Sequence, residues 1–135
     1  FTNSIVKNTS FKDVNFIHCK MLGVKFNECD PFLLQFSFKD CQLNFSSFYQ
    51  LKIQNTKFSN CNLQEVDFTE AVLTSSVFES CDFKGAIFDR THLDKTDFRT
   101  AFNFEINPNN NKLRSANFTR GSIDGLLSQY KIILE

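Results

Sequence analysis

Large apolar residues return at every fifth position of this chain. From Phe38 they run Phe38, Leu43, Phe48, Ile53, Phe58, Leu63, Phe68, Leu73, Phe78, Phe83, Phe88, Leu93 and Phe98 without a miss. A second column stands two residues before the first and is mostly small: Cys41, Ser46, Thr56, Cys61, Val66, Ala71, Ser76, Cys81, Ala86, Thr91 and Thr96, with Phe36 and Leu51 as larger exceptions. Neither a helix, with its period of about 3.6, nor a strand, with its period of 2, repeats in fives. Such a pattern needs a backbone that turns the same face inward every five residues. A squared coil does so, with one unit per side and its backbone groups paired between stacked coils.

The cysteines sharpen this reading. Cys41, Cys61 and Cys81 stand four units apart, so they fall on one face, one per coil. The amino-terminal part repeats as well, through Val6, Phe11, Phe16, Met21 and Phe26, but two residues out of phase. With Leu33 as the next large residue, a two-residue bulge is predicted at 29–32, next to Pro31, and Cys19 then joins the cysteine face. Phe36 beside Phe38 and Leu51 beside Ile53 should overfill a narrow shaft, so widening or outward tilt is expected there. The predicted core is Phe16, Phe38, Phe48, Phe58, Phe68, Phe78, Phe88 and Phe98, with Cys19, Cys41, Cys61 and Cys81. Each large side chain, fully buried, contributes roughly 1.5–3 kcal/mol. Five cysteines without a C-x-x-C pair read as buried thiols. A straight file cannot surround a metal ion, and parallel thiols do not converge into a disulfide.

Units such as Ala71-Val72-Leu73-Thr74-Ser75, Cys61-Asn62-Leu63-Gln64-Glu65, Cys81-Asp82-Phe83-Lys84-Gly85 and Thr96-Asp97-Phe98-Arg99-Thr100 resemble the pentapeptide repeat, a loose A-(D/N)-L-x-x, with Phe favoured over Leu at the centre. The resemblance implies an all-β fold, a right-handed quadrilateral β-helix with four repeats per coil. The solenoid is expected over 1–120, with a looser coil over 101–120. There Asn103 and Pro108 fall on central phases and Asn107 to Asn111 read as a projecting turn. The last 15 residues, 121–135, read as a short helix with Ser122 as N-cap, then a terminal strand over 131–135. Ile123, Leu126, Leu127, Tyr130, Ile132 and Leu134 would cap the open end or form a twofold seam with a second copy. The chain also resembles the Qnr-type quinolone-resistance branch, whose members end in a helix that pairs two subunits.

Composition bounds the function. Fifteen basic residues balance fifteen acidic ones, which argues against a protein that coats nucleic acid directly. No stretch of about 18 apolar residues suggests a membrane span. No basic segment followed by an apolar one opens the chain, so a cytoplasmic location is expected. His18 and His92 stand in no metal or triad spacing, and no catalytic motif or cofactor signature is present in the sequence. The expectation is a non-enzymatic binding protein without a cofactor. Acids concentrate in one stretch of chain: Glu65, Asp67, Glu70, Glu79, Asp82, Asp89, Asp94 and Asp97 against Lys84, Arg90 and Lys95. This acidic band is the candidate partner-binding surface, suited to a basic groove. The Qnr-type resemblance implies a dimeric rod that mimics duplex DNA and binds a type II topoisomerase, DNA gyrase or topoisomerase IV. The alternative is a structural or protein-docking solenoid with another target. Mimicry requires the acids to line one face of the rod.

Overall fold

The fold, taken from a computed structural model that describes residues 2–134, is a right-handed quadrilateral β-helix. Four short strands, β1 (Val14–Ile17), β2 (Phe36–Lys39), β3 (Lys57–Ser59) and β4 (Val77–Glu79), stack in chain order as one parallel sheet. In its regular part residues 20 apart are partners, as in Lys57↔Val77 and Phe58↔Phe78. Single bridges extend the same register to the other three sides, through Asn62↔Asp82, Asp67↔Ile87 and Val72↔His92. We number the sides in chain order, so that in one coil side one carries 61–64, side two 66–69, side three 71–74 and side four 76–79. Along each side the ladder alternates: Asp67 turns its amide and carbonyl to the coil below, its carbonyl accepting Phe48 N at 2.8 Å, and Phe68 N donates to Ile87 O in the coil above at 2.9 Å. On side two, Asp67 N donates to Ser46 O at 3.0 Å and Ile87 N donates to Val66 O at 2.9 Å.

The shaft is built from two opposed files of phenyl rings. On side four Phe16, Phe38, Phe58, Phe78, Phe98 and Phe118 lie nearly parallel, with neighbouring centroids 4.9–5.4 Å apart. On side two Phe26, Phe48, Phe68 and Phe88 form a second file at 4.8–5.3 Å. The files meet edge to face, as in Phe48–Phe58 at 89° and Phe68–Phe78 at 76°. Offset stacks within a file and edge contacts between files are the favoured ring geometries. The coil rise of about 4.8 Å brings rings to that distance without strain. Leu43, Leu63 and Phe83 fill side one and Ile53, Leu73 and Leu93 fill side three, all of them buried. Phe36 and Leu51 are buried too and do not tilt outward. Phe36 fits because it packs among the rings of Phe11, Phe26, Phe38 and Phe48, against only Val14 in the coil below.

The small column does more than save volume. Cys41 Sγ, Cys61 Sγ and Cys81 Sγ donate to the carbonyls of Phe16, Phe38 and Phe58 at 3.3–3.5 Å. Thr91 and Thr96 hydroxyls donate to Phe68 O and Leu73 O at 2.8 and 2.9 Å, and Ser46 to Met21 O at 2.9 Å. These side chains tie each coil to carbonyls of the coil below, and Phe68 O and Leu73 O accept the turn amides of Ala71 and Ser76 as well, at 3.0 and 2.9 Å. Corners also demand unusual backbone. The residue two after nearly every central one has positive φ, at Asn55, Asn60, Glu65, Glu70, Ser75 and Ser80 among others but not at Glu28 or Thr100, and the turn closes with bonds such as Ala71 N to Phe68 O at 3.0 Å. A left-handed residue at that place is what a type II turn requires.

Other sequence expectations change as well. The two extra residues lie between Asp30 and Phe36, because Ser10↔Asp30 keeps a separation of 20 while Val14↔Phe36 has 22. Leu33 is exposed there and Leu34 packs on the core instead. In the loosened coil Phe104 and Ile106, not Asn103 and Pro108, turn inward. The carboxyl-terminal segment forms two 3-10 stretches, Arg120–Leu126 and Ser128–Tyr130, rather than an α-helix, with Thr119 at the N-cap in place of Ser122. The reason is Gly125: it packs so close to Phe104 that a Cβ would collide with the Phe104 carbonyl and ring, and it carries the carbonyl that Ile106 N reaches at 2.8 Å. Residues 131–134 form no strand, and Glu135 lies outside the described residues.

Candidate functional site

Because the interior is filled, the chemistry that varies between coils is carried outside. Each side shows a vertical column at the ladder position: Lys20, Gln42, Asn62, Asp82 and Phe102 on side one, and Lys25, Ser47, Asp67 and Ile87 on side two. Side three carries Lys52, Val72, His92 and Lys112, and side four carries Lys57, Val77, Asp97 and Asn117. Inward columns keep to buried apolar and small side chains, whereas outward columns change in charge and polarity from coil to coil.

The eight acids of the predicted band share a height on the rod but do not line one face. Asp82 lies on side one, Asp67 on side two, Asp94 on side three, and Glu79 and Asp97 on side four. Glu65 sits at the corner between sides one and two, and Glu70 and Asp89 sit near the corner between two and three. Most are engaged. Glu70 accepts Arg90 at 2.9 Å and Gln50 at 2.7 Å, and Asp89 also faces Arg90 at 3.5 Å. Glu79 faces Lys57 at 3.5 Å. Arg99 grips both Asp97 oxygens, which holds that carboxyl below its ordinary range. Burial pushes Asp82 upward, but hydrogen bonds from Asn103 and Gln64 outweigh it and leave its pKa lowered. Asp94 accepts the Arg114 amide at 3.0 Å. Glu65 and Asp67 take part in no ion pair among the described residues.

The cysteine file is chemically quiet. Cys29, on another side, has its thiol pushed up to about 11 by burial and by Asp30. Cys41 is pushed up by its bond to Cys61 and by burial. All five thiols are free. Among the described residues no cluster of three or more His, Cys, Asp or Glu could hold a metal ion, and no helix is long and apolar enough to cross a membrane.

At the carboxyl end the predicted cap residues divide. Leu126 packs on the core and Leu127 is half-buried, while Ile123, Tyr130, Ile132 and Leu134 are exposed. Sequence reading missed Phe45, which stands exposed at a left-handed corner with φ 65°. Its signal was there: it falls on a place in the five where neighbouring coils carry polar residues or Gly.

Residues 9–81, 24–98 and 52–127 each match the family model of the pentapeptide repeat region. The chain belongs to the pentapeptide-repeat family. No curated protein sequence is similar enough to match it. Among solved structures, this pentapeptide-repeat chain is similar to a trypsin-treated form of QnrB1, a plasmid-mediated fluoroquinolone resistance protein, with TM-score 0.63 and 14% identity over 99% of this chain and 64% of that one. It is also similar to HetL, a pentapeptide-repeat protein involved in heterocyst differentiation regulation in the cyanobacterium Nostoc, with TM-score 0.54 and 13% identity over 86% of this chain and 56% of that one. Both likenesses are of fold. The chain spans less than two thirds of the length of either structure.

Proposed function

We propose that this pentapeptide-repeat protein is a non-enzymatic docking rod whose flat outer sides bind a partner protein. The observation that carries this reading is the division of labour between columns. Inward positions vary only among buried apolar and small residues, while outward positions change between cation, neutral polar, anion and apolar from coil to coil. Parallel ladders hold those outward groups about 4.8 Å apart in a fixed register, a rigid lattice for recognition. Photoreactive side chains placed at Ser47 on side two and Asn117 on side four test it. The reading predicts that the two sites differ in the partner protein they trap. Indiscriminate or absent cross-linking from every side would contradict it.

The rod pairs through its carboxyl end. Ile123, Tyr130, Ile132 and Leu134 are 44%, 56%, 53% and 55% exposed, and Ile133 beside them is exposed too. A second copy would cover this apolar cluster around a twofold axis. Ile132→Asp with Leu134→Asp avoids the core-packed Leu126 and should halve the mass in sedimentation equilibrium. An unchanged mass would remove the seam.

The QnrB1-like fold favours a second reading, in which the partner is a type II topoisomerase, gyrase or topoisomerase IV. Protection of gyrase supercoiling from a fluoroquinolone would support it, and no effect at low salt would refute it. The encirclement of the shaft by paired acids weighs toward the general docking reading, because mimicry of a duplex needs unneutralised charge along one face.

A further inference from the structure

Side two carries a local outlier. Its corner and outward positions form a grid: Gly23, Lys25, Asn27 at the foot; then Phe45, Ser47, Tyr49; then Glu65, Asp67, Thr69; then Gly85, Ile87, Asp89. Phe45 is a bulky residue held at φ 65°, a region such residues avoid. Apart from Leu33 in the insertion, and among the described residues, no other large apolar side chain occupies a left-handed position. Burial does not compensate, since Phe45 is 66% exposed and, among the described residues, meets no other ring and carries no cation. Strain kept at an exposed position points to use rather than to folding. Tyr49 flanks the same row and is also partly exposed, with only Ser47 between them.

The next coil supplies the complement. Phe45 N donates to Gln64 O at 3.1 Å, which places Glu65 over Phe45, and the Ser47↔Asp67 bridge places Asp67 over Ser47. Asp67 spends one oxygen on the Thr69 amide at 2.9 Å and keeps the other free. The Glu65 carboxylate leans into the space that Gly85 leaves by having no side chain. Among the described residues neither Lys84, which lines the same hollow as Glu65, nor Lys25, at the foot of the side, forms an ion pair with either acid.

Asp67 lies one coil above Phe45 and two residues along, a diagonal of roughly 8 Å between backbones, and an aromatic face with an unpaired carboxylate at that spacing suits a guanidinium, which stacks flat on the ring while its N–H fork reaches an oxygen. Resting on the docking reading above, we propose that side two between Phe45 and Asp67 is the docking site for an arginine-bearing segment of the partner protein. Lysine fits less well, since an ammonium lacks the plane that stacks.

The test uses the full chain and three labelled six-residue peptides, alternating Gly with Arg, Lys or Glu, in fluorescence anisotropy. Phe45→Asn keeps a residue that tolerates the left-handed corner, so its melting temperature should hold or rise while arginine-peptide affinity falls about tenfold. Glu65→Gln with Asp67→Asn should weaken the same peptide comparably, and Glu79→Gln on side four should leave it unchanged. The lysine peptide should bind more weakly than the arginine peptide, and the glutamate peptide should not bind. Equal affinity of wild type and Phe45→Asn, no binding of the arginine peptide, or an equal loss from Glu79→Gln would overturn the assignment. If the arginine peptide fails while cross-links from another side still trap a partner, this site falls and the docking reading stands. If both fail, both fall.

Discussion

Replacing Phe58 with Leu isolates what the ring files contribute. Phe58 is fully buried and stacked between Phe38 at 5.1 Å and Phe78 at 4.9 Å, with edge contacts to Phe48 and Phe68. Leucine already fills the same place on sides one and three, so it fits the shaft and keeps most of the apolar burial. What it loses is aromatic contact. Two stacked pairs at about 0.5–1.5 kcal/mol each give a cost of about 1–3 kcal/mol. Phe118, at the upper end of the same file, has one stacked partner, Phe98 at 5.1 Å, and is only partly buried. Phe118→Leu should therefore cost about half as much. Phe58→Ala, which opens a cavity as well, should cost about 3–5 kcal/mol. Equilibrium urea unfolding followed by far-ultraviolet circular dichroism reads these as midpoint shifts at constant slope. If Phe58→Leu is neutral, or shifts the midpoint no more than Phe118→Leu, the files contribute nothing beyond apolar burial and the reasoning fails.

Thr91→Val keeps the shape of the small column but removes the hydroxyl that reaches Phe68 O, which keeps its bond from Ala71 N, and should destabilise by about 0.5–1.5 kcal/mol in the same assay, with Thr91→Ser recovering most of it. Cys29, its thiol at about 11, should resist iodoacetamide at neutral pH in the folded protein and react above that value or on unfolding, as followed by mass spectrometry. Asp97 has a folded pKa depressed below its unfolded one, so its stabilisation is present above the unfolded value of about 4 and disappears as pH falls through the lower folded value. Asp97→Asn should flatten that acid limb of the melting curve and leave the neutral-to-alkaline limb unchanged in shape.

Period five was legible because the residues that make the shaft are restricted in size at every turn. Phe58, Phe78 and Phe98 fall in one file because 20 residues close one coil, and the same arithmetic aligns Cys41, Cys61 and Cys81. The corners were not legible, since the left-handed residues are mostly Asn, Glu, Ser, Gln and even Phe, with glycine only at Gly23 and Gly85, and ladder pairing on both sides overrides their local preference. The insertion was visible as a phase shift, but its position was not. Either Leu33 or Leu34 satisfies the pattern, and only the change from Ser10↔Asp30 to Val14↔Phe36 places it. At the carboxyl end, apolar spacing suggested a helix, but the close approach of Gly125 to Phe104 is a tertiary fact without a sequence period. A run of sequence is a ring around a solenoid, so residues that line one face must be 20 apart, as Asn62 and Asp82 are.

The coiling itself is the central claim, and trans-hydrogen-bond coupling between amide nitrogen and carbonyl carbon measures it directly. In labelled protein, Asp67 N should couple to Ser46 C′, Ile87 N to Val66 C′ and Asp97 N to Ser76 C′, a constant step of 21 residues down the shaft. Couplings that instead link each amide to its helical i−4 carbonyl, or to partners whose numbers fall as its own rises, as in hairpins, would contradict the account.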